Sequence, residues 1–466
     1  MSDKPIIVWF RRDLRLGDHA ALTAAQATGR PVVPVFILDE VVENLGAAPK
    51  WRLGEGVAHF QRRLEALGSR LILRRGEALD VLQSLMGETG ADTVYWSRAY
   101  DPASIARDTA VKAAVNGISF QGHLLYEPWV PQTNMGGNFK VYTPFWRHVY
   151  SELEVGAALA GVTQLGAPDA WPDSDTIDDW QMGAAMSRGA AVVAQYAQVG
   201  EEAAHARLDR FLEDAVQGYK EDRDFPMLPA TSGLSENLTY GEISPRVVFN
   251  AGRAALEQGM QGAEHFLKEL VWREFAYHLL WYAPALDHKC WRTEWDDFPW
   301  RGENADSIAW QQGRTGQTFV DAGMRELYTT GIMHNRLRMI VGSYLTKHLL
   351  TDWRVGLAWF AECLIDWDPA ANAMGWQWIA GCGPDASPYF RVFNPALQAD
   401  KFDKDQGYRD KWLRAEISGD AATFYDAVPL SWALSRETLQ DGERISLTQG
   451  RVGALEAYAA FKAGQA

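Results

Sequence analysis

Eleven of the chain's 20 tryptophans fall in one stretch: Trp272, Trp281, Trp291, Trp295, Trp300, Trp310, Trp353, Trp359, Trp367, Trp376 and Trp378. Indoles at that density do one of two things. They fill a helical core, since each buries a large area and needs a single partner for its N–H, or they pass electrons one at a time and stack against flat ligands such as a flavin or a nucleobase. Density alone does not choose. Their company does: Arg273, Glu274, His334, Asn335, Arg336, Arg338, Asp366, Asp368, Asn372 and Gln377 stand among them, and a purely structural core avoids such groups. A polar, aromatic pocket is expected. Upstream, Thr231-Ser232-Gly233-Leu234-Ser235 supplies hydroxyls and backbone N–H groups ahead of a predicted helix, a chemistry that suits a pyrophosphate and equally an ordinary helix cap.

The elements that must position these residues divide the chain in two. Residues 1–130 alternate short β-branched runs with helical patterns, as a parallel sheet covered on both faces requires. Strands are predicted at Pro5–Phe10, Pro31–Leu38, Arg70–Arg74, Asp92–Ser97 and Ile118–Leu125, with amphipathic stretches such as Val57–Leu67 between them. This is a doubly wound, Rossmann-like α/β domain. After the first strand it has Arg11-Arg12-Asp13-Leu14-Arg15 where a dinucleotide fold has GxGxxG, and that basic run also fits a solvated loop. Residues 131–200 carry Gly136, Gly137, Pro168, Pro172 and the acidic cluster Asp173, Asp175, Asp178, Asp179, the marks of a connector. Residues 201–466 are helical in period, for example over Ala203–Tyr219, Phe266–Tyr282 and Val355–Asp366.

Composition bounds the rest. With 466 residues, 47% of them hydrophobic and 23% charged, the chain folds into two or three packed domains. It has no run of roughly 20 apolar residues, and Met1–Asp13 lacks the basic stretch and apolar core of a signal peptide, so a cytoplasmic protein with no membrane association is expected. Cys290, Cys363 and Cys382 are odd in number and widely spaced, which suggests reduced, buried thiols and neither disulfides nor a metal site. The net charge of -15 weighs against nucleic acid only weakly, because phosphate binding is read from a local patch.

The segments Trp272-Arg273-Glu274-Phe275, Thr330-Gly331-Ile332-Met333-His334-Asn335-Arg336-Leu337-Arg338-Met339, Asp366-Trp367-Asp368-Pro369-Ala370-Ala371-Asn372, Gly375-Trp376-Gln377-Trp378 and Pro388-Tyr389-Phe390-Arg391-Val392-Phe393-Asn394-Pro395 resemble the DNA photolyase/cryptochrome family in order and spacing. Trp9-Phe10-Arg11-Arg12-Asp13-Leu14-Arg15 and Tyr142-Thr143-Pro144-Phe145-Trp146 fit it too, so the resemblance spans nearly the whole chain.

The resemblance implies an all-α C-terminal domain around FAD. Tyr219, Thr231, Ser232, Leu234 and Ser235 would hold its phosphates and ribityl chain, and Arg273, Asn335, Asp366 and Asp368 the remainder, with Arg338 and Asp366 paired beside the ring system. Asn372 matches the position facing the central-ring nitrogen, where plant cryptochromes usually have Asp. Trp376, Trp353 and Trp300 match a relay that reduces the photoexcited flavin from the surface, each being otherwise a core residue. For substrate, Trp272 and Trp378 would wall a slot for a flipped-out lesion, Glu269 would hydrogen-bond a pyrimidine edge, and Asn335, Arg336 and Met339 would line the rest. Arg223, Arg336, Arg391 and Lys401 would meet phosphates, or are simply solvated charges.

Function follows from the same comparison. The (6-4) photolyases carry a further His where Asn335 stands, so the expected activity is class I photolyase repair of cyclobutane pyrimidine dimers in DNA by a monomer with no obligate protein partner. A cryptochrome-like photoreceptor is the alternative, opposed by Asn372 and by an end at Ala466 without a long polar tail. A flavoprotein or nucleotide-binding module without photochemistry is a third. Met374 and Gly381-Cys382-Gly383-Pro384 depart from the family pattern near the slot. A second, antenna chromophore in the N-terminal domain is implied, either a deazaflavin or methenyltetrahydrofolate, and Asp287-His288 replaces the Cys-Lys pair of some folate binders.

Overall fold

The computed structural model describes residues 4–435 and 442–465. Ala466, on which the absence of a tail was argued, and the first three residues of Met1–Asp13 lie outside the described residues. Five strands, β1 (Ile6–Phe10), β2 (Val32–Leu38), β3 (Ile72–Arg75), β4 (Thr93–Ser97) and β5 (Gly117–Phe120), form one sheet in the order β3-β2-β1-β4-β5. Every neighbouring pair is parallel. All residues of β1 and β2 are buried, because helices cover both faces of the sheet and Val and Ile suit both. The connections run in opposite directions from β1, to β2 on one side and to β4 on the other. That opens a crevice beyond the carboxyl ends of these strands.

Two elements end earlier than their sequence pattern. The fifth strand was expected to reach Leu125 and stops at Phe120: the Gly122 carbonyl is taken by Arg15 at 2.8 Å, and the Gln121 amide caps the Leu124 and Leu125 carbonyls. Those groups leave the ladder. The helix expected over Ala203–Tyr219 is Glu201–Asp214, followed by a separate turn Tyr219–Asp222, because the chain folds back so that the Val216 N–H bonds the Phe211 carbonyl.

The Arg11–Arg15 run is no solvated loop. Arg11, Asp13 and Arg15 are all buried. Arg11 pairs with Asp108 at 2.8 Å and lies over the Trp9 ring. Arg15 donates to the carbonyls of Gly17, Asp18, Gly122 and Gly241, which satisfies a charge that burial would otherwise penalise. Gly241 belongs to the helical region, and its φ of +65° together with Arg12 Oδ-free backbone contact leaves no room for a side chain: a Cβ there would lie 2.2 Å from the Arg12 carbonyl oxygen.

Residues 131–200 carry the helix Tyr142–Glu152, whose Tyr142, Phe145, Trp146 and Val149 join a core with Leu270, Val271 and Phe275 of the helix Ala263–Tyr282. A second core holds Trp295, Trp310, Trp353 and Trp376. Among the described residues, no helix is long and apolar enough to cross a membrane.

Candidate functional site

The site is built from four pieces of chain. The helix Ala263–Tyr282 presents Phe266, Glu269, Leu270 and Arg273 to one cavity, the 3-4-3 spacing of a single helix face. The segment 232–239 adds Ser232, Leu234, Ser235, Leu238 and Thr239; Arg338 comes from the helix Asn335–Ser343; Asp366, Asp368, Ala371 and Asn372 come from the start of the helix Pro369–Ala380. That last helix is placed by its own termini. Asp368 caps it by accepting the Ala371 N–H at 2.8 Å, Pro369 follows, and Gly381 ends it in the left-handed conformation. With Tyr219 and Val248 these residues enclose about 800 Å³ of empty space, the open mouth included.

Polar groups are distributed unevenly around it. Arg338 Nη2 donates to both carboxylate oxygens of Asp366, at 3.0 and 2.8 Å, and its Nε donates to the Met333 carbonyl, so the guanidinium plane is fixed. Asn372 donates its amide N–H to the Asp368 carbonyl at 3.0 Å. Arg273 donates to the His123 carbonyl at 2.9 Å and reaches Glu274 at 3.3 Å. Burial pushes the Glu274 carboxyl up to about 7, against the pull of Arg273 and the Leu125 and Tyr126 N–H groups. Leu234 stands at the N-cap of Ser235–Thr239 without a side-chain capping bond, so the Ser232 and Ser235 hydroxyls are not an ordinary helix cap.

Most of the expected cofactor residues therefore meet: Tyr219, Ser232, Leu234, Ser235, Arg273, Arg338, Asp366, Asp368 and Asn372 all line the cavity. Thr231 and Asn335 do not, and both are exposed. Leu238, Thr239, Val248, Phe266, Leu270 and Ala371 were not singled out; the Phe266–Arg273 spacing was the signal for two of them.

Trp376, Trp353 and Trp300 belong to one apolar cluster, the first two buried and the third partly so. Trp376 lies so close to the helix Trp353–Cys363 that a Cβ on Gly356 would sit 2.1 Å from its ring. Trp300 packs on Phe298 at 4.5 Å, and the adjacent Arg301 bridges to Thr351 near Trp353. Trp272 stacks on Tyr142 at 3.6 Å with planes 8° apart, while Trp378 packs against the other core. Glu269 pairs with Arg223, and Arg336 with Asp224. Met339 is partly buried. Arg391 and Lys401 are exposed, near the rings of Phe393 and Phe402.

Two family models match the chain: DNA photolyase over residues 6–166 and the FAD binding domain of DNA photolyase over residues 266–438. A protein from Agrobacterium fabrum named deoxyribodipyrimidine photo-lyase is 47% identical over 414 residues, 88% of this chain and 86% of that one. The chain belongs to the DNA photolyase/cryptochrome family. Among solved structures, a bacterial class III photolyase from Agrobacterium tumefaciens superposes with a TM-score of 0.90 at 42% identity, covering 99% of this chain and 98% of that one. An archaeal photolyase from Sulfolobus tokodaii holding two FAD molecules gives 0.80 at 28% identity, covering 98% and 100%.

The cavity just described lies in the photolyase FAD-binding domain, and its donors fit that cofactor: hydroxyls and Arg273 for a diphosphate, apolar Leu234, Leu238 and Leu270 for flat rings, and a fixed Arg338–Asp366 pair. A second, larger cavity of about 1310 Å³ with its mouth opens in the crevice at the sheet. Arg11, Arg12, Ser97, Arg98 and Arg107 line it from the α/β side, and Tyr277, Asp287, His288, Trp367 and Pro369 from the helical side. The basic run after β1 thus faces a ligand-sized space.

Proposed function

We propose that the chain repairs cyclobutane pyrimidine dimers in DNA, driven by light. One observation carries the reading: the fixed Arg338–Asp366 pair, Asp368 and Asn372 converge on the same cavity as Ser232 and Ser235. FAD bound there would, photoexcited in its reduced form, supply the electron that opens the dimer and receive it back.

The remaining work belongs to the protein. Arg338 presents positive charge to an anionic ring system, and Asp366 keeps that charge from swinging away. Asn372 offers a neutral amide, which hydrogen-bonds without delivering a proton. Glu269, on the same helix face as Arg273, is the hydrogen-bonding partner for a pyrimidine edge, with Trp272 and Trp378 as apolar walls and Asn335 and Met339 beside them. Trp376, Trp353 and Trp300 act as the relay to the surface. Arg391 and Lys401 are the phosphate contacts; Arg223 and Arg336 would join them only by releasing Glu269 and Asp224. The larger cavity takes the antenna chromophore. The resemblance points to class I and the structure at 42% identity is a class III enzyme, but these roles rest on residues of this chain and hold for either class.

Illuminating the reduced protein with an oligonucleotide containing a thymine dimer is the test. Recovery of intact thymine is expected. Flavin bound with no recovery overturns repair in favour of a light-sensing function, and a colourless folded protein overturns both.

A further inference from the structure

The two cavities share a wall of four hydrogen-bonded side chains. Tyr277 and His123 line the cavity at the sheet; Arg273 and Asp368 line the flavin cavity. The Tyr277 hydroxyl donates to Asp368 Oδ2 at 2.7 Å and lies 3.0 Å from His123 Nε2. Arg273 Nη2 reaches the same Nε2 at 2.9 Å. Tyr277, His123 and Asp368 are all buried, so none of these groups can turn to water instead.

Their partners assign the protons. A guanidinium has only donors, so His123 Nε2 must accept from Arg273, and the proton of the neutral ring is on Nδ1. Burial and the nearby Arg273 hold His123 well below the usual histidine range, which keeps that ring neutral. The Tyr277 proton then has two possible acceptors. The carboxylate is charged, is closer, and is not already engaged at that oxygen, whereas the Nε2 lone pair is; Asp368 therefore takes it. Burial, reinforced by Asp368, keeps the phenol protonated. The other Asp368 oxygen holds the Ala371 N–H, so both of its oxygens are committed to donors and its direction is set.

We propose that Tyr277 is a positioning residue for the flavin site: its hydroxyl aims the Asp368 carboxylate and damps the negative charge that Asp368 presents to the bound flavin. The inference rests on the flavin reading above. Its ring has a separate structural role, packing edge-on to His123 at 5.2 Å and lying under Arg273 at 5.5 Å, and Tyr277→Phe preserves that ring while removing the hydroxyl.

A spectroscopic redox titration of the FAD-loaded protein reads the effect. Tyr277→Phe is expected to bind FAD at unchanged stoichiometry and to favour the oxidised flavin by about tenfold, the size of one charge-assisted hydrogen bond and about 30 mV for a two-electron couple. Asp368→Asn alone is expected to shift the potential the opposite way. In the Asp368→Asn background Tyr277→Phe is expected to have no further effect, because the hydroxyl acts through the carboxylate. An unchanged potential in Tyr277→Phe, an Asp368→Asn variant at the wild-type potential, or an equal shift in both backgrounds overturns the proposal. A wild-type protein that takes up no FAD is a different result and overturns the flavin reading itself.

Discussion

At the scale of single residues, the fate of each tryptophan depends on what surrounds it. Trp376 sits on the helix that also carries Asn372 and is buried among apolar groups. Trp376→Phe is expected to stop photoreduction of oxidised flavin, followed by absorbance under illumination, while repair by chemically reduced protein stays within about twofold, since that step needs no electron from the surface. Glu274 offers a pH-dependent test. Its carboxyl is raised from 4.5 to about 7, so the folded chain binds a proton that the unfolded chain releases. The stability it contributes is complete below pH 4.5 and is lost as the pH rises through about 7, a change of about 3 kcal/mol. Urea unfolding at about pH 5 and about pH 8 measures it, and Glu274→Gln is expected to flatten the difference while keeping an acceptor for the Leu125 N–H.

At the scale of elements, close approach decides more than propensity. Alanine is a better helix former than glycine by about 1 kcal/mol, yet Gly356→Ala is expected to lower the thermal midpoint. Its Cβ would stand 2.1 Å from Trp376, and overpacking of that kind costs about 1–3 kcal/mol. A raised midpoint would mean that Trp376 can move, and with it the proposed relay. The helix Ala263–Tyr282 is the opposite case, because its pattern could be read in advance: Phe266, Glu269, Leu270 and Arg273 fall on one face by spacing alone, and that face lines the cavity.

At the scale of the whole molecule, buried charge ties the α/β region to the helical one. Arg52, on the helix Ala47–Ala66, is fully buried and bonds Glu236 and both oxygens of Glu242. Arg207 bonds Glu236, Asn237 and the Gly233 carbonyl, so the network reaches the segment that supplies Ser232 and Ser235. Arg52→Leu leaves two carboxylates without their cation and is expected to cost about 3–5 kcal/mol in urea unfolding, with FAD content falling in parallel. The net charge of -15 requires DNA to be met by a local patch. Arg391→Ala is expected to lower the slope of log affinity against log salt by about 1, and an unchanged slope would remove Arg391 from the DNA face.

The sequence by itself determined the parallel sheet, the helical second half, the family and most of the cavity's lining, because β-branched runs, helical period and short motifs are local properties. It misjudged what depends on distant partners. Arg11–Arg15 looked like a solvated loop until the Gly241 and Gly122 carbonyls and Asp108 were seen to bury it. Thr231 and Asn335 stood in the right motifs and proved exposed. His123 and Tyr277 went unremarked, since nothing local joins a histidine after β5 to a tyrosine on the Ala263–Tyr282 helix. Only the tertiary structure brings them within 3.0 Å and places them between two cavities, because hydrogen-bond partners of buried groups are chosen by packing across the whole fold.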